Sequence, residues 1–272
     1  MANYSDYVNW RRTFHQYPEL SKKEFETTKR LKRILESYHI SILDLPLETG
    51  LVAEIGQGEP MAVSYTHLTL PTKAYLPLET GLVAEIGQGE PMVAVRTDID
   101  ALPITEQVVH EFTSTNEGVM HACGHDIHMA SILAVATQLK AIESELNGRV
   151  RILFQASEEL GDGAIKLSQT GALEGVKAVL GYHNYPTLDI GEFAIKSGVT
   201  TSAVDRFEFH IQGKGAHAAK PEQGNDPVIV VGQLINSLQS IVSRNLSAFD
   251  SAVITIGEVS CGNTWNVIAD QA

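Results

Sequence analysis

The chain has 272 residues, 43% of them hydrophobic, enough to bury the core of one large domain or two ordinary ones. Its 33 acidic residues outnumber the 20 basic ones, and the formal charge of −13 argues against nucleic acid or an anionic membrane surface and for a small molecule or peptide as partner. Two cysteines, Cys123 and Cys261, make no disulfide framework, the N-terminal segment has no apolar signal-like stretch and no run reaches the length of a membrane span, so the cytoplasm is the expected compartment.

From the N-terminus, Ser5 or Asp6 can cap a first short helix running through Arg12 and His15, which Pro18 interrupts. Ser21 and Glu24 have the spacing of a capping box, and Phe25, Thr28, Leu31, Leu35 and Tyr38 follow as a helical stripe. Arg11, Arg12 and His15 read as a charged, solvated helical face rather than as functional groups.

Residues 45–61, LPLETGLVAEIGQGEPM, recur without a change at 76–92. Natural repeats drift, and a repeat architecture needs roughly three units or more to bury its faces. Between the copies, the insert 62–75 contains SYTHLTLPTK, which resembles adapter-derived sequence in translated metagenomic reads. The duplication and insert therefore point to an artefact of sequencing or assembly. One copy of the GLVAEI strand is then surplus to the fold, and His67, inside the insert, is left out of the site.

Residues 93–95 form a short apolar run that reads as a buried strand ending in RTDIDALP. Carboxylates just past a strand's end lie where open α/β sheets put their chemistry. Asp98 and Asp100 there can be ligands, supports for ligands or plain turn residues. Next, His121-Ala-Cys-Gly-His-Asp-Ile-His128 crowds imidazoles, a thiol and a carboxylate ahead of a helix expected at 127–146 and closed by Asn147-Gly148. Residues 150–154 alternate as a strand that delivers Glu158-Glu159, 164–173 read as helix, and 177–180 as a short strand that delivers His183. Strands alternating with helices predict a largely parallel sheet with its candidate ligands on one edge.

Past residue 198 the pattern changes. Residues 205–212 alternate as a strand with one wet face, Gly213 to His217 read as a flexible turn, Asp226-Pro227 opens an amphipathic helix, and 251–259 read as a further strand. The expected fold class is α/β: a mostly parallel-sheet catalytic domain over residues 1–197, holding the duplicated segment, and an inserted, incomplete α+β lid or dimerisation domain over 198–272.

Taken alone, Cys123 and His125 are a two-ligand clip whose bland alternative is a polar loop with a buried free cysteine. A thiolate ligand favours zinc, manganese, cobalt or nickel over calcium or magnesium. Adjacent carboxylates at a strand end project in different directions, so one of Glu158 and Glu159 can hold a metal while the other faces the water it activates. His121 and His128 remain open between ligand, supporting and core roles.

The motifs RRTFHQYPELSKKEFETT, RTDIDALPITEQ, MHACGHDIHMA, FQASEE, GYHN, GKGAHAAKP and TWNVIADQA occur in this order. Together they resemble the aminoacylase and carboxypeptidase-like amidohydrolase family that includes hippurate hydrolase, plant auxin-conjugate hydrolases and N-acetyl-diaminopimelate deacetylase. Covering all but the insert, the resemblance implies a two-metal hydrolase whose lid mediates homodimerisation. It implies that Cys123, His125, Glu159 and His183 hold two divalent ions (manganese, zinc, cobalt or nickel), that Glu158 is the general acid/base, and that His217 reaches toward the reacting carbonyl. The implied reaction is hydrolysis of the amide bond of N-acyl amino acids to a carboxylate and a free amino acid, with N-acetyl-diaminopimelate as the alternative substrate. The family's pattern runs on past NVIADQA to a further metal-binding histidine, so the expectation for these 272 residues is a C-terminally truncated chain, itself inactive, of an active parent. The rival readings are a cysteine hydrolase using Cys123 and a non-catalytic binding protein.

Overall fold

The structure is a computed structural model that describes residues 2–43, 45, 51–53 and 81–272, so the insert with His67 lies outside the described residues. The chain forms two compact units, Met1–Glu192 and Phe193–Ala272.

The first unit opens on helix α1 (Tyr4–Gln16). Its cap is Asn3, ahead of the expected Ser5 or Asp6: the Asn3 side chain accepts the N–H groups of Ser5 and Asp6, and Asp6 returns a bond to the Asn3 backbone. Helix α2 (Phe25–Ser37) follows, with Leu31 and Leu35 fully buried as its stripe predicts. The capping box expected at Ser21 and Glu24 does not form. Glu19 supplies the cap, accepting from the N–H groups of Glu26 (3.2 Å) and Thr27 (2.7 Å). Glu24 is instead drawn inside to accept the Ser157 N–H at 2.8 Å, and Ser21 donates to Asp100 at 2.7 Å.

Five strands make the central sheet of this unit: β1 (Leu51–Ala53), β2 (Gly81–Gln88), β3 (Met92–Asp98), β4 (Gly148–Gln155) and β5 (Val176–Gly181), in the order β1-β2-β4-β3-β5. Among the described residues only the β2–β4 pairing of these strands is antiparallel, so the sheet is mostly parallel, as expected. The duplicated strand is not surplus. Leu51, Val52 and Ala53 pair in parallel with Leu82, Val83 and Ala84, the same residues of the other copy. An edge strand offers unpaired backbone groups to any β-forming segment, and identical segments pair in register by matching like with like.

Helix α3 (His125–Ala141) packs on α1 and on β3, and α2 packs on β2. It starts two residues before and ends five residues before the span read from periodicity, continuing as a 3-10 turn over Glu143–Glu145 whose polar residues have no apolar face to extend. Phe14, Leu31, Leu35, Leu82, Ile86, Ile99, Met129, Leu133, Ile152 and Phe154 form one buried cluster between these layers. Each such side chain contributes about 1.5–3 kcal/mol on burial, so this cluster fixes the sheet on which the polar site stands. Glu85 and Arg151, opposite each other on β2 and β4, are buried as an ion pair, and the guanidinium also donates to the carbonyls of Ala172 (2.6 Å) and Glu174 (3.2 Å). Those extra bonds offset the cost of taking both charges out of water. Helix α4 (Gly163–Gln169) completes the unit.

In the second unit, β6 (Ala216–His217) pairs antiparallel with β7 (Val267–Ile268), and α5 (Pro227–Ser240) begins as predicted, with Asp226 accepting the Val228 N–H at 2.9 Å and proline in the first turn. The strands expected at 205–212 and 251–259 are not formed. The first contributes only a bridge from Gln212 to Gln271 and reciprocal bonds between Ile211 and Ala272, with Phe207 and Phe209 exposed. Alternation gives a strand two faces, but its ladder must come from a neighbouring chain segment. No helix among the described residues is long and apolar enough to cross a membrane.

Candidate metal centre

Strands β3, β4 and β5 run parallel, so their C-terminal ends fall on one edge of the sheet. Asp98 ends β3 and Asp100 follows it, Glu158 and Glu159 follow β4, and His183 follows β5. Cys123 lies on the turn before α3 and His125 is the first residue of that helix. Gly124 between them has φ 87°, a left-handed conformation that turns the chain sharply at no side-chain cost.

His125 is buried and its Nδ1–H donates to the Asp100 carbonyl at 2.8 Å, which leaves the Nε2 lone pair facing inward. That Nε2 has no hydrogen-bond partner, and neither does the buried Glu159 Oε1. Around Nε2 stand Asp98 Oδ2 at 3.6 Å, Glu159 Oε1 at 3.7 Å and Glu158 Oε2 at 3.9 Å, too far for hydrogen bonds and close enough to share an ion. Cys123 Sγ is 3.4 Å from His183 Nε2, and His183 Nδ1–H donates to the Asn184 carbonyl at 2.8 Å, so its Nε2 also points a lone pair into the centre. Cys123, His125 and His183 can each offer an atom within 4.8 Å of one another, as can His125, Glu158 and Glu159, and His125 belongs to both groups.

The charge distribution points the same way. Burial, then the neighbouring Glu159 charge, pushes the Cys123 thiol up to about 12, and burial raises the Glu159 carboxyl. This is the reverse of the thiolate stabilisation a cysteine nucleophile needs. Burial also works against charging His125, but Asp100, Asp98 and Glu159 outweigh it and raise its pKa. A thiol, imidazole lone pairs and carboxylates crowded around orphaned polar atoms suit a divalent cation, which neutralises the carboxylates and converts the thiol to a thiolate ligand.

Asp98 and Asp100 hold this set in place. Asp100 is fully buried; its Oδ2 accepts from Ser21 and from the Glu159 N–H at 3.0 Å, so it positions the backbone that carries the two glutamates. Glu24 grips the same turn at Ser157, whose φ of 55° is left-handed. Burial opposes the Asp98 charge, yet the bond from His128 and the nearby His125 and Arg96 hold that carboxyl down to about 2. His128, fully buried, bonds Asp98 Oδ1 (2.6 Å) through Nδ1 and sets Nε2 against Asn184, 2.6 Å from its side-chain oxygen, tying α3 to the segment that bears His183. His121 is buried without a hydrogen-bond partner and is pulled down to about 4 by burial, which keeps it neutral.

His217 belongs to the second unit, on β6, where its exposed ring accepts the Ala219 N–H at Nδ1 (3.1 Å). Arg11 and His15 are not a solvated face: His15 is buried between Asp126 and Glu106, and Arg11 Nε lies 2.8 Å from Asp126. The sequence reading missed the roles of Ser21, Glu24 and Asn184, and counted Asp126 only as a carboxylate of the ligand-rich stretch. Ser21 and Glu24 offered only a local capping signal, because their true partners lie 79 and 133 residues away.

The model of peptidase family M20/M25/M40 matches residues 94–267. The chain is 44% identical over 266 residues to the N-acetylcysteine deacetylase of Bacillus subtilis (strain 168), covering 97% of this chain and 62% of that protein. It is 34% identical over 268 residues to the N-acyl-L-amino acid amidohydrolase of Geobacillus stearothermophilus, covering 98% of this chain and 65% of the other. Among solved structures, that of the Bacillus subtilis YXEP protein, a dinuclear metal binding peptidase from M20 family, matches with a TM-score of 0.65 and 37% identity over 98% of this chain and 61% of that one. The chain thus spans less than two thirds of each of these relatives.

Proposed function

Because this chain belongs to peptidase family M20/M25/M40, we propose that the whole protein hydrolyses the amide bond of N-acyl amino acids at a centre for two divalent cations, drawn from manganese, zinc, cobalt and nickel. The products are a carboxylate and a free amino acid. In this reading residues 1–197 are the catalytic domain, and residues 198–272 belong to a lid through which two copies pair as a homodimer in the cytoplasm. The observation that carries it is the buried His125 Nε2, unpartnered and ringed by Asp98, Glu158 and Glu159 oxygens at 3.6–3.9 Å.

Cys123, His125, Glu159 and His183 hold the cations. Bound there, the pair supplies Lewis-acid polarisation of the scissile carbonyl and lowers the pKa of water toward neutrality. Glu158, the more exposed of the two glutamates, takes the proton of the attacking water and returns it to the leaving amine nitrogen. His217 stabilises the developing oxyanion. Its Nδ1 is occupied as an acceptor, so its proton resides on Nε2, ready to donate. The relatives' names, an N-acetylcysteine deacetylase and an N-acyl-L-amino acid amidohydrolase, support an acylated α-amino acid as substrate.

The test is a panel of N-acetyl and N-benzoyl amino acids and N-acetyl-diaminopimelate offered to the whole protein. Chelation is expected to abolish hydrolysis, metal readdition to restore it, and thiol alkylation with metal in place to spare it. Turnover that survives chelation and dies on alkylation would replace this reading with a cysteine hydrolase. Binding without turnover by the metal-loaded protein would make it a binding protein.

A further inference from the structure

We propose that His15, Glu106 and His110 form a further divalent-cation site, of zinc-like preference, separate from the centre at Cys123 and His125. His15 is in the last turn of α1, and Glu106 and His110 belong to the loop between β3 and α3. Each offers one ligand atom, all within 4.8 Å of one another.

The three atoms already converge on one point. His15 Nε2 is 2.9 Å and His110 Nε2 is 3.0 Å from the same oxygen, Glu106 Oε1. Ligand bonds of about 2.0–2.2 Å place the donors of a tetrahedral zinc about 3.3–3.5 Å apart, so accommodating an ion takes shifts of a few tenths of an ångström. The outer atoms of His15 and Glu106 are spoken for in the manner of a built site. His15 Nδ1–H donates to Asp126 Oδ2 at 2.8 Å, which orients the ring with Nε2 toward the cluster, and Arg11 secures Asp126 in turn. Glu106 Oε2 accepts the Ser114 N–H at 2.7 Å, leaving Oε1 for the shared point.

The protons are accounted for as well. Both His15 nitrogens face carboxylate oxygens, which only accept, so both bear protons; His110 Nε2 likewise presents its proton to Glu106. A divalent cation takes the place of the proton on His15 Nε2, which goes to solvent, while His110 moves its proton from Nε2 to the unpartnered Nδ1 and so frees Nε2 as a ligand. The flanking cations are already matched: Arg11 by Asp126 at 2.8 Å and Arg12 by Glu111 at 3.7 Å.

His15 and Glu106 are nearly inaccessible, with side-chain exposures of 6% and 4%, while His110 at 27% leaves an access path. The Phe112 ring lies against His110 (4.0 Å between centroids) and edge-on to His15 (5.6 Å), so the pocket is also partly dry. Two imidazoles and one carboxylate suit zinc over calcium or magnesium. An ion there clasps the loop to α1 and, through Asp126, to the first turn of α3 where His125 stands.

Cobalt titration of the metal-free 272-residue chain tests this. Ions bound at Cys123 give a thiolate-to-cobalt charge-transfer band, whereas the proposed site holds no sulfur and gives ligand-field absorption alone. The parent and Cys123→Ala are both expected to show this sulfur-free step, and His110→Ala and Glu106→Gln to lose it, about one equivalent each. Zinc binding at that step is expected to release about one proton, read from the buffer dependence of the heat. If His110→Ala does not fold, Glu106→Gln, which keeps the shape of the side chain, carries the comparison. Equal stoichiometry in the parent and Glu106→Gln, or a sulfur-free step that releases no protons, overturns the proposal and leaves a hydrogen-bonded clasp only.

Discussion

Replacing Asp100 by asparagine keeps the shape of a fully buried side chain and removes its charge. Its Oδ2 accepts two bonds, from the Ser21 hydroxyl at 2.7 Å and the Glu159 N–H at 3.0 Å. A hydrogen bond to a charged acceptor contributes about 1.5–3 kcal/mol and a neutral one about 0.5–1.5, so the amide forfeits about 2–3 kcal/mol over the two bonds. For a chain of this length that lowers the unfolding midpoint by about 5–10 °C, read by circular dichroism with chelator present. Ser21→Ala removes one bond only, and the double variant should fall short of the summed losses by about 1 kcal/mol. The pH dependence has a fixed sign. Burial opposes the Asp100 charge, but the bonds near His125, Ser21 and Glu159 outweigh it and hold its pKa below the usual range. The parent's advantage is therefore complete above about pH 5 and shrinks as pH falls through the depressed pKa. Because Asp100 also holds the Glu159 backbone, cobalt affinity at the thiolate-bearing site should drop by about 10–100-fold. A midpoint within about 1 °C of the parent, together with unchanged cobalt affinity, would refute this account.

Three further outcomes follow from the same geometry. Glu158→Gln alters a side chain that is 39% exposed, so stability should stay within about 0.5 kcal/mol of the parent, while kcat of the whole protein falls by about 10²–10⁴-fold with the cations retained; an undiminished kcat ends the acid/base assignment. Gly124→Ala puts a Cβ 2.4 Å from Asn184 Oδ1 at a φ of 87°, and Asn184 cannot yield without leaving His128; a loss of about 1–2 kcal/mol and a weakened cobalt–thiolate band are expected, and a neutral effect on both contradicts it. Against the opposing effect of burial, Lys22, Lys166 and Ser157 hold the Asp162 carboxyl down to about 2. The parent should therefore be more stable than Asp162→Asn above about pH 4 and lose that advantage as pH falls toward 2, and a difference that grows on acidification would be the wrong sign.

By itself the sequence marked the candidate ligands and the layer plan. Glu158, Glu159 and His183 stand out because strand periodicity ends just before them, Cys123 and His125 because they crowd with other ligand types ahead of a helix, and alternating strands and helices already imply a parallel sheet with its strand ends together. The tertiary structure alone decided which groups serve them. Ser21 and Glu24 look like a helix cap until Asp100 and Ser157 arrive from 79 and 133 residues away. His15 looks solvated until Glu106, 91 residues on, closes over it. Residues 205–212 carry the alternation of a strand but find no ladder, while the repeated Leu51–Ala53 finds one at a sheet edge. The physical reason is common to all four. Periodicity records which face of a segment turns inward, whereas a hydrogen bond requires a donor and an acceptor within about 3 Å, and for distant residues only the packed chain supplies that proximity.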